Sequence, residues 1–256
     1  MGEHETWFDL IPGYHALEQL LAPHLSRSWR WQVFQDTHFS LAHVAGTVVV
    51  MGFVLWGGLR FRAALATPEG RVLPPAGFGL RNFFEVFVES FYGLMQQVMG
   101  PELARKYLPL IGSLAFFIFF CNALALLPGF SPPTDTLKTN IALAVLVFLA
   151  THYFGVKENG LAYFKHFMGP IPWLIPLMLP IELISHIARA VSLSMRLMGN
   201  MASDHKVVAT FTALVPLLVP VPFLVLGTLV VVVQTLVFCL LSMVYISMAV
   251  AHEEHH

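Results

Sequence analysis

Residues 184–207 read ISHIARAVSLSMRLMGNMASDHKV, an apolar helical pattern that carries Arg189 and Arg196 and closes on Asp204, His205 and Lys206. Glu182, Ser185, Arg189, Ser192, Arg196, Asn200 and Ser203 follow one another in steps of three and four, the spacing that keeps side chains on one face of a helix. The other faces are Leu, Ile, Met, Val and Ala. A cation in hydrocarbon costs about 3 kcal/mol or more, so a stripe of this kind must face protein or water. The serines also suit close helix packing, and Arg189 suits extension towards an interface. Arg196 suits neither, because it stands 14 residues inside Glu182 with no carboxylate three or four positions away. A guanidinium does not release its proton at any working pH. Arg196 therefore offers a fixed positive charge, and its partner anion must come from another helix or another chain. An imidazole titrates near neutrality, which makes His205 an expected proton relay, with a purely structural hydrogen-bonding role as the alternative. Gln234, in VVVQTLV, lies 19 residues after Val215, and Arg196 lies 19 before it. In an antiparallel hairpin the two share a depth, and Gln234 is either helix-to-helix glue or part of the same site.

The elements that must carry these residues are membrane helices. The chain has 256 residues, 57% apolar and 11% charged, with 22 Phe and a mean hydropathy of +0.71. A soluble domain carries about 25% charged residues. A net charge of −1 with no basic run speaks against nucleic acid as a partner. Cys121 and Cys239 both lie in apolar segments, which points to inert, membrane-facing thiols; no metal site is expected. Residues 1–38 hold no signal-peptide core, so no cleaved leader is expected.

Spans of about 20 apolar residues fall at Leu41–Leu59, Leu108–Leu127 and Thr139–Val156. Between Val207 and Ala251 no residue is charged. Prolines at 172, 176 and 180 precede a Pro-free stretch, Ile181–Val215, and Pro216, Pro220 and Pro222 separate it from Phe223–Ala251. Two long helices joined by a proline turn are predicted. At 1.5 Å per residue they reach roughly 52 Å and 43 Å against about 30 Å of hydrocarbon, so they tilt strongly or project. Residues 80–99 place Leu80, Phe83, Phe84, Phe87, Phe91 and Met95 on one face and Arg81, Glu85, Glu89 and Gln96 on the other, an interfacial amphipathic helix. The expected fold class is all-α integral membrane, with about five passes, one interfacial helix and a strongly tilted final pair. The divisions are an extracytoplasmic segment at 1–38, a first membrane helix at 39–60, a cytoplasmic loop at 61–107, a helical hairpin at 108–156 and the oblique pair at 157–256. Arg60, Arg62, Arg71, Arg81, Arg105, Lys106, Lys157 and Lys165 cluster on one side of the spans. That side is cytoplasmic by the positive-inside rule, which leaves the N-terminus outside and the C-terminus in the cytoplasm.

Two other classes compete. His252–His256 read HEEHH, formally the H-E-x-x-H zinc-protease pattern, but nothing follows to build a cleft or a third ligand. A secondary transporter calls for paired inverted repeats and broken helices, and the sequence displays neither.

SLSMRLMGNM, PIELISHIARAVSLSMRL at 180–197, CNALALLP at 121–128 and the closing VVVQTLVFCLLSMVYISMAVAHEEHH resemble subunit a of the F-type rotary ATP synthase. The resemblance runs from about Asp36 to the end. It implies one membrane helix, an interfacial helix, a hairpin and two oblique helices that wrap a ring of c subunits. It implies a non-catalytic stator subunit in a multi-pass, bacterial inner-membrane setting, held with peripheral-stalk b subunits in a lipid bilayer and needing no cofactor. The ring's carboxylates would ionise opposite Arg196, which would also bar direct passage between two half-channels. Carried over residue by residue, the family's essential arginine falls on Arg196 with Asn200 beyond it, its cytoplasmic-side glutamate on Glu182, and a polar exit position on Ser185. Its last-helix glutamine falls on Gln234, its entry-side asparagine on Asn122 and an acidic position before the first span on Asp36. The pattern also departs from the family. Ala125 stands where an acid is frequent, and the ionisable pair expected nine residues after the arginine and seven before the glutamine is here His205 and Gly227. Asp204 or a water chain is the expected substitute.

Overall fold

The computed structural model describes residues 7–25, 41–65, 79–127, 129–160, 163, 175–214 and 220–251. Every regular element in them is helical: α1 (Tyr14–Leu25), α2 (Ala42–Leu65), α3 (Leu80–Met99), α4 (Pro101–Ala123), α5 (Leu137–Asn159), α6 (Ile175–Leu214) and α7 (Pro220–Val250), with short 3₁₀ turns at Trp7–Leu10, Leu124–Leu126 and Pro133–Asp135. Among the described residues five helices are long and apolar enough to cross a membrane, the number of passes that the sequence predicts.

α6 has 40 residues and α7 has 31, roughly 60 Å and 46 Å, so both exceed the hydrocarbon thickness. Both begin earlier than the prolines suggest. Pro176 and Pro180 lie inside α6, and Pro220 and Pro222 open α7. In a first turn the amide that proline lacks has no intrahelical acceptor to lose, and Pro180 gives up only one bond close to the helix start. The N-terminal segment also folds more than expected. Its 3₁₀ turn and α1 bring Phe8 and Tyr14 against Leu41, Ala42 and Phe130, and Trp7 N–H donates to the Gly129 carbonyl.

α3 forms over the expected residues, and its apolar face packs on protein. Phe84 and Phe87 stack on Phe116 of α4, with centroids 4.9 and 4.3 Å apart, and Met95 and Met99 join Tyr107 and Ile111 in one core cluster. Gly100, at φ +81°, turns the chain between the two helices, a backbone state that favours glycine. α2 crosses this pair where Gly57 meets the Phe84 ring, leaving no room for a Cβ.

α7 is the central helix. Cys239, Met243, Ile246 and Val250 pack on α3 and α4. Phe238 joins Leu114, Ile118, Leu143, Val147, Leu193, Leu197 and Met201 in a second cluster that ties α4, α5 and α6 together. Both cysteines are fully buried and unpaired, Cys239 in the first of these clusters and Cys121 against Val50 and Leu124. The membrane-facing reading of the thiols is therefore corrected: each lies on the helix face that packs against protein.

Candidate functional site

The polar stripe of α6 divides into three zones. The middle zone is Arg196, whose side chain is exposed and has no ion-pair partner among the described residues. Around it α6 turns Ile187, Val191 and Met195 outward, and α7 likewise exposes Leu229, Val232 and Val233. The opposite face of α6, through Leu193, Leu197 and Met201, is sealed in the second core cluster. Ser192 and Asn200 share the exposed side with Arg196. Gln234 is buried and its Nε2 donates to the Arg196 backbone carbonyl at 3.0 Å. The shared depth read from the hairpin is present, but Gln234 contacts the backbone of Arg196 and not its guanidinium. It locks α7 to α6 beside the charge.

The outer zone lies where α6, α7 and the turn before α5 meet. Buried Asn122 Oδ1 accepts from Thr134 Oγ1 at 2.7 Å, and buried Asn140 Nδ2 donates to the Thr134 carbonyl at 2.6 Å. Asp135 Oδ2 lies 3.6 Å from His205 Nδ1. The residue that faces Gly227 is Asp204. A Cβ at position 227 would lie 2.8 Å from Asp204 Oδ2 and 3.2 Å from Leu126 Cδ2. The pairing of His205 with position 227 is thereby corrected. Successive helical residues point about 100° apart, so when Asp204 faces α7, His205 turns towards Asp135.

The inner zone lies where α5, α6 and α7 converge. Glu182 Oε1 is 3.2 Å from His186 Nε2, and the His186 ring meets that of His152 on α5, centroids 5.3 Å apart. Arg189 is half-buried, its guanidinium 5.7 Å from the centre of the Tyr245 ring on α7. Ser185 is half-buried one turn from Glu182. Tyr163, just beyond α5, is buried; that burial first, and the Glu182 charge second, pushes its phenol above the usual tyrosine value.

Sequence reasoning missed Asp135, Thr134, Asn140, His152, His186 and Tyr245. His152 carried a readable signal, a titratable residue inside an apolar span. Asp135 and Thr134 sit in a loop whose return onto α4 is a tertiary event. Asp36 and the HEEHH tail lie outside the described residues. Among the described residues no group of three or more His, Cys, Asp or Glu is placed to hold a metal ion.

The sequence profile of the family described as ATP synthase A chain matches residues 42–247. The chain is 48% identical to ATP synthase subunit a 2 of Syntrophotalea carbinolica, over 86% of this chain and 90% of that one. It is 52% identical to ATP synthase subunit a of Sorangium cellulosum over 72% of each chain. It is 44% identical to ATP synthase subunit a of Bdellovibrio bacteriovorus over 88% of this chain and 99% of that one.

Proposed function

The chain belongs to the ATP synthase A chain family, and on that premise we propose that it is the proton-translocating stator subunit of a rotary ATP synthase, working against a ring of carboxylate-bearing c subunits and held by the peripheral stalk. The observation that carries this reading is the placement of Arg196. It is exposed on an apolar helix face, and half-buried polar clusters lie on either side of it along α6, at Asp204–His205 and at Glu182–His186. Between those clusters the interior is closed by Leu193, Leu197, Met201 and Phe238. That apolar packing supports a path on which the proton leaves the chain near Arg196.

The chemistry then follows. A carboxylate carried through lipid stays protonated, because its charge is costly there. Opposite Arg196 it gains a counter-ion and ionises. Arg196 keeps its charge throughout, so it repels a proton that would pass straight from one cluster to the other. Asn122, Asp204 and His205, with Asp135, serve the outer half-channel, and Glu182 and Ser185 the inner one. Asn200 lines the ring-facing surface, and Gln234 holds α7 in register with the Arg196 backbone. The Arg- and Lys-rich loops support a cytoplasmic position for the inner cluster by the positive-inside rule.

The test is ATP-driven acidification of inverted membrane vesicles that carry the assembled complex. Arg196→Ala should abolish pumping, and Arg196→Lys should fail nearly as badly, because a desolvated ammonium gives up its proton and a guanidinium does not. Wild-type pumping by Arg196→Ala would overturn the reading.

A further inference from the structure

Arg60 stands 18 residues after Ala42 on α2, about 27 Å along the helix, so it meets the far edge of about 30 Å of hydrocarbon. Its guanidinium is exposed and rests over the Trp56 ring, 5.3 Å from the centroid. Among the described residues no carboxylate pairs with it. A ring face orients a guanidinium without neutralising it. Arg60 opens onto a cavity of about 260 Å³ between α2 and α3. Trp56, Phe61 and Ala64 wall it from α2, and Leu80 and Arg81 wall it from α3. The described lining thus holds two cations and no anion; Glu85, one turn beyond Arg81, is not part of it. The helices around the recess are closely packed. Gly57 leaves no room for a Cβ against the Phe84 ring, and Phe61 stacks on Phe84 with centroids 6.4 Å apart.

From the recess an aromatic wall runs towards the membrane centre. The Phe53 ring centroid lies 6.1 Å from that of Trp56 and 5.0 Å from that of Phe120 on α4, and Phe83 lies 6.0 Å from Phe120. Phe53, Trp56, Leu80 and Phe83 are all exposed. One surface therefore joins a doubly positive recess at interface depth to an apolar strip that enters the hydrocarbon. A free phosphate matches only the recess. A zwitterionic lipid matches the strip, but its own cation would face two more. A partner helix matches the strip as well, but it does not fit the recess. A volume of 260 Å³ is about 6 Å on a side if cubic, and a helix is about 10 Å across. A phosphate with a chain attached matches both parts.

We propose that the recess between α2 and α3 binds the phosphate of an anionic glycerophospholipid, with Arg60 and Arg81 flanking the phosphate and an acyl chain lying along Phe53 and Phe83. The site goes beyond the rotary reading and does not depend on it; it needs only that the chain spans a membrane. Basic pockets between membrane helices attract anionic headgroups. A guanidinium presents its donors as a fork that matches two phosphate oxygens, which an ammonium does not. Arg60 is the principal anchor, because the Trp56 ring already sets its heading and no carboxylate of the described residues offsets its charge. Arg81 adds the second charge from the opposite wall. The bound lipid bridges α2 and α3 at the membrane surface, above the Gly57–Phe84 contact.

The test uses the purified complex that contains this chain, in phosphatidylcholine nanodiscs doped with a phosphatidylglycerol that carries a diazirine in its acyl chain. After illumination, adducts on the α2 and α3 peptides are quantified by mass spectrometry. Phosphatidylcholine with the same diazirine should label these peptides at least fivefold less, and inorganic phosphate should not compete. Arg60→Gln and Arg81→Gln should each lower the phosphatidylglycerol yield roughly fivefold, the loss of one cation's attraction at an anionic membrane site. Arg60→Lys should fall between wild type and Arg60→Gln, because it keeps the charge and loses the fork. Arg62→Gln removes a neighbouring exposed charge that does not line the recess and should leave the yield unchanged. If the glutamine variants do not assemble, the two labelled lipids on the wild-type complex decide. Equal losses for Arg60→Gln and Arg62→Gln would mean diffuse surface attraction and overturn the site. Equal labelling by the two lipids, or competition by inorganic phosphate, overturns it too. So does p-benzoylphenylalanine at position 80 if it cross-links to another protein and not to lipid, since a partner then covers the recess.

Discussion

Exchanging Asp204 and Gly227 moves one carboxylate from α6 to α7 across a single contact. The Cβ position at 227 lies 2.8 Å from Asp204 Oδ2, so a side chain grown there enters the space that Asp204→Gly would vacate. The helix-propensity changes at the two positions are each about 0.5 kcal/mol, of opposite sign, and cancel. Asp204→Gly alone removes the anion. Gly227→Asp alone sets two carboxylates about 4 Å apart, a repulsion of about 4 kcal/mol at an effective dielectric of 20. That is nearly three decades in the equilibrium between one and two charges. The crowded pair must hold an extra proton or push its side chains apart, and either change spoils a site that exchanges one proton at a time. Each single variant should therefore lower ATP-driven acidification at least tenfold, and the double variant should return to within about threefold of wild type, a coupling within the range of contacting residues. ATP synthesis under an imposed proton gradient should follow the same order. A wild-type rate for Asp204→Gly, or a double variant no better than the worse single, would refute the assignment of Asp204 to the path.

Two further outcomes follow. Cysteines at Glu182→Cys and Ser185→Cys should react with a water-soluble thiol reagent added from the cytoplasmic side, and labelling only from the opposite side would reverse the orientation. Tyr163→Phe should leave the pH profile of pumping unmoved between about pH 6 and 9. The Tyr163 phenol is raised by burial, so any stability it contributes is fully present below the ordinary tyrosine value and is lost only as pH climbs past the raised one.

The long helices, the helix over residues 80–99 and the spacing of the Arg196 stripe were legible in the sequence because apolar length and helical period are both local properties. Helix starts were less legible. Proline is a strong breaker in a helix interior and a weak one in the first turn, and the sequence alone does not say which turn holds Pro176 or Pro220. The outer site was half legible. Asp204, His205 and Asn122 were visible as polar residues in apolar surroundings, but the choice between Asp204 and His205 as the neighbour of Gly227 depends on how α6 is rotated against α7. That rotation is set by packing at Leu193, Leu197 and Met201 and by the Gln234 bond to the Arg196 carbonyl. Asp135 and Thr134 became part of the site only through the loop's return onto α4.

The Gln234 bond also bears on why the arginine can stand where it does. A guanidinium on a lipid-like surface needs its depth and heading fixed, or it turns to the nearest water at little cost. Gln234 donates to the carbonyl of that same residue, and its own burial makes the bond costly to break. Thr235 and Ser242 on the same helix return their hydroxyls to carbonyls four residues back, so their polar atoms are satisfied within α7. Gln234 is thus an α7 side chain whose described hydrogen bond reaches α6 at Arg196. It holds the backbone at the one position where rotation of α6 would carry the charge out of its apolar face. The guanidinium itself stays unengaged by the described residues, as the proposed pairing with a passing carboxylate requires: an arginine already paired within the chain would have its charge offset before such a partner arrived.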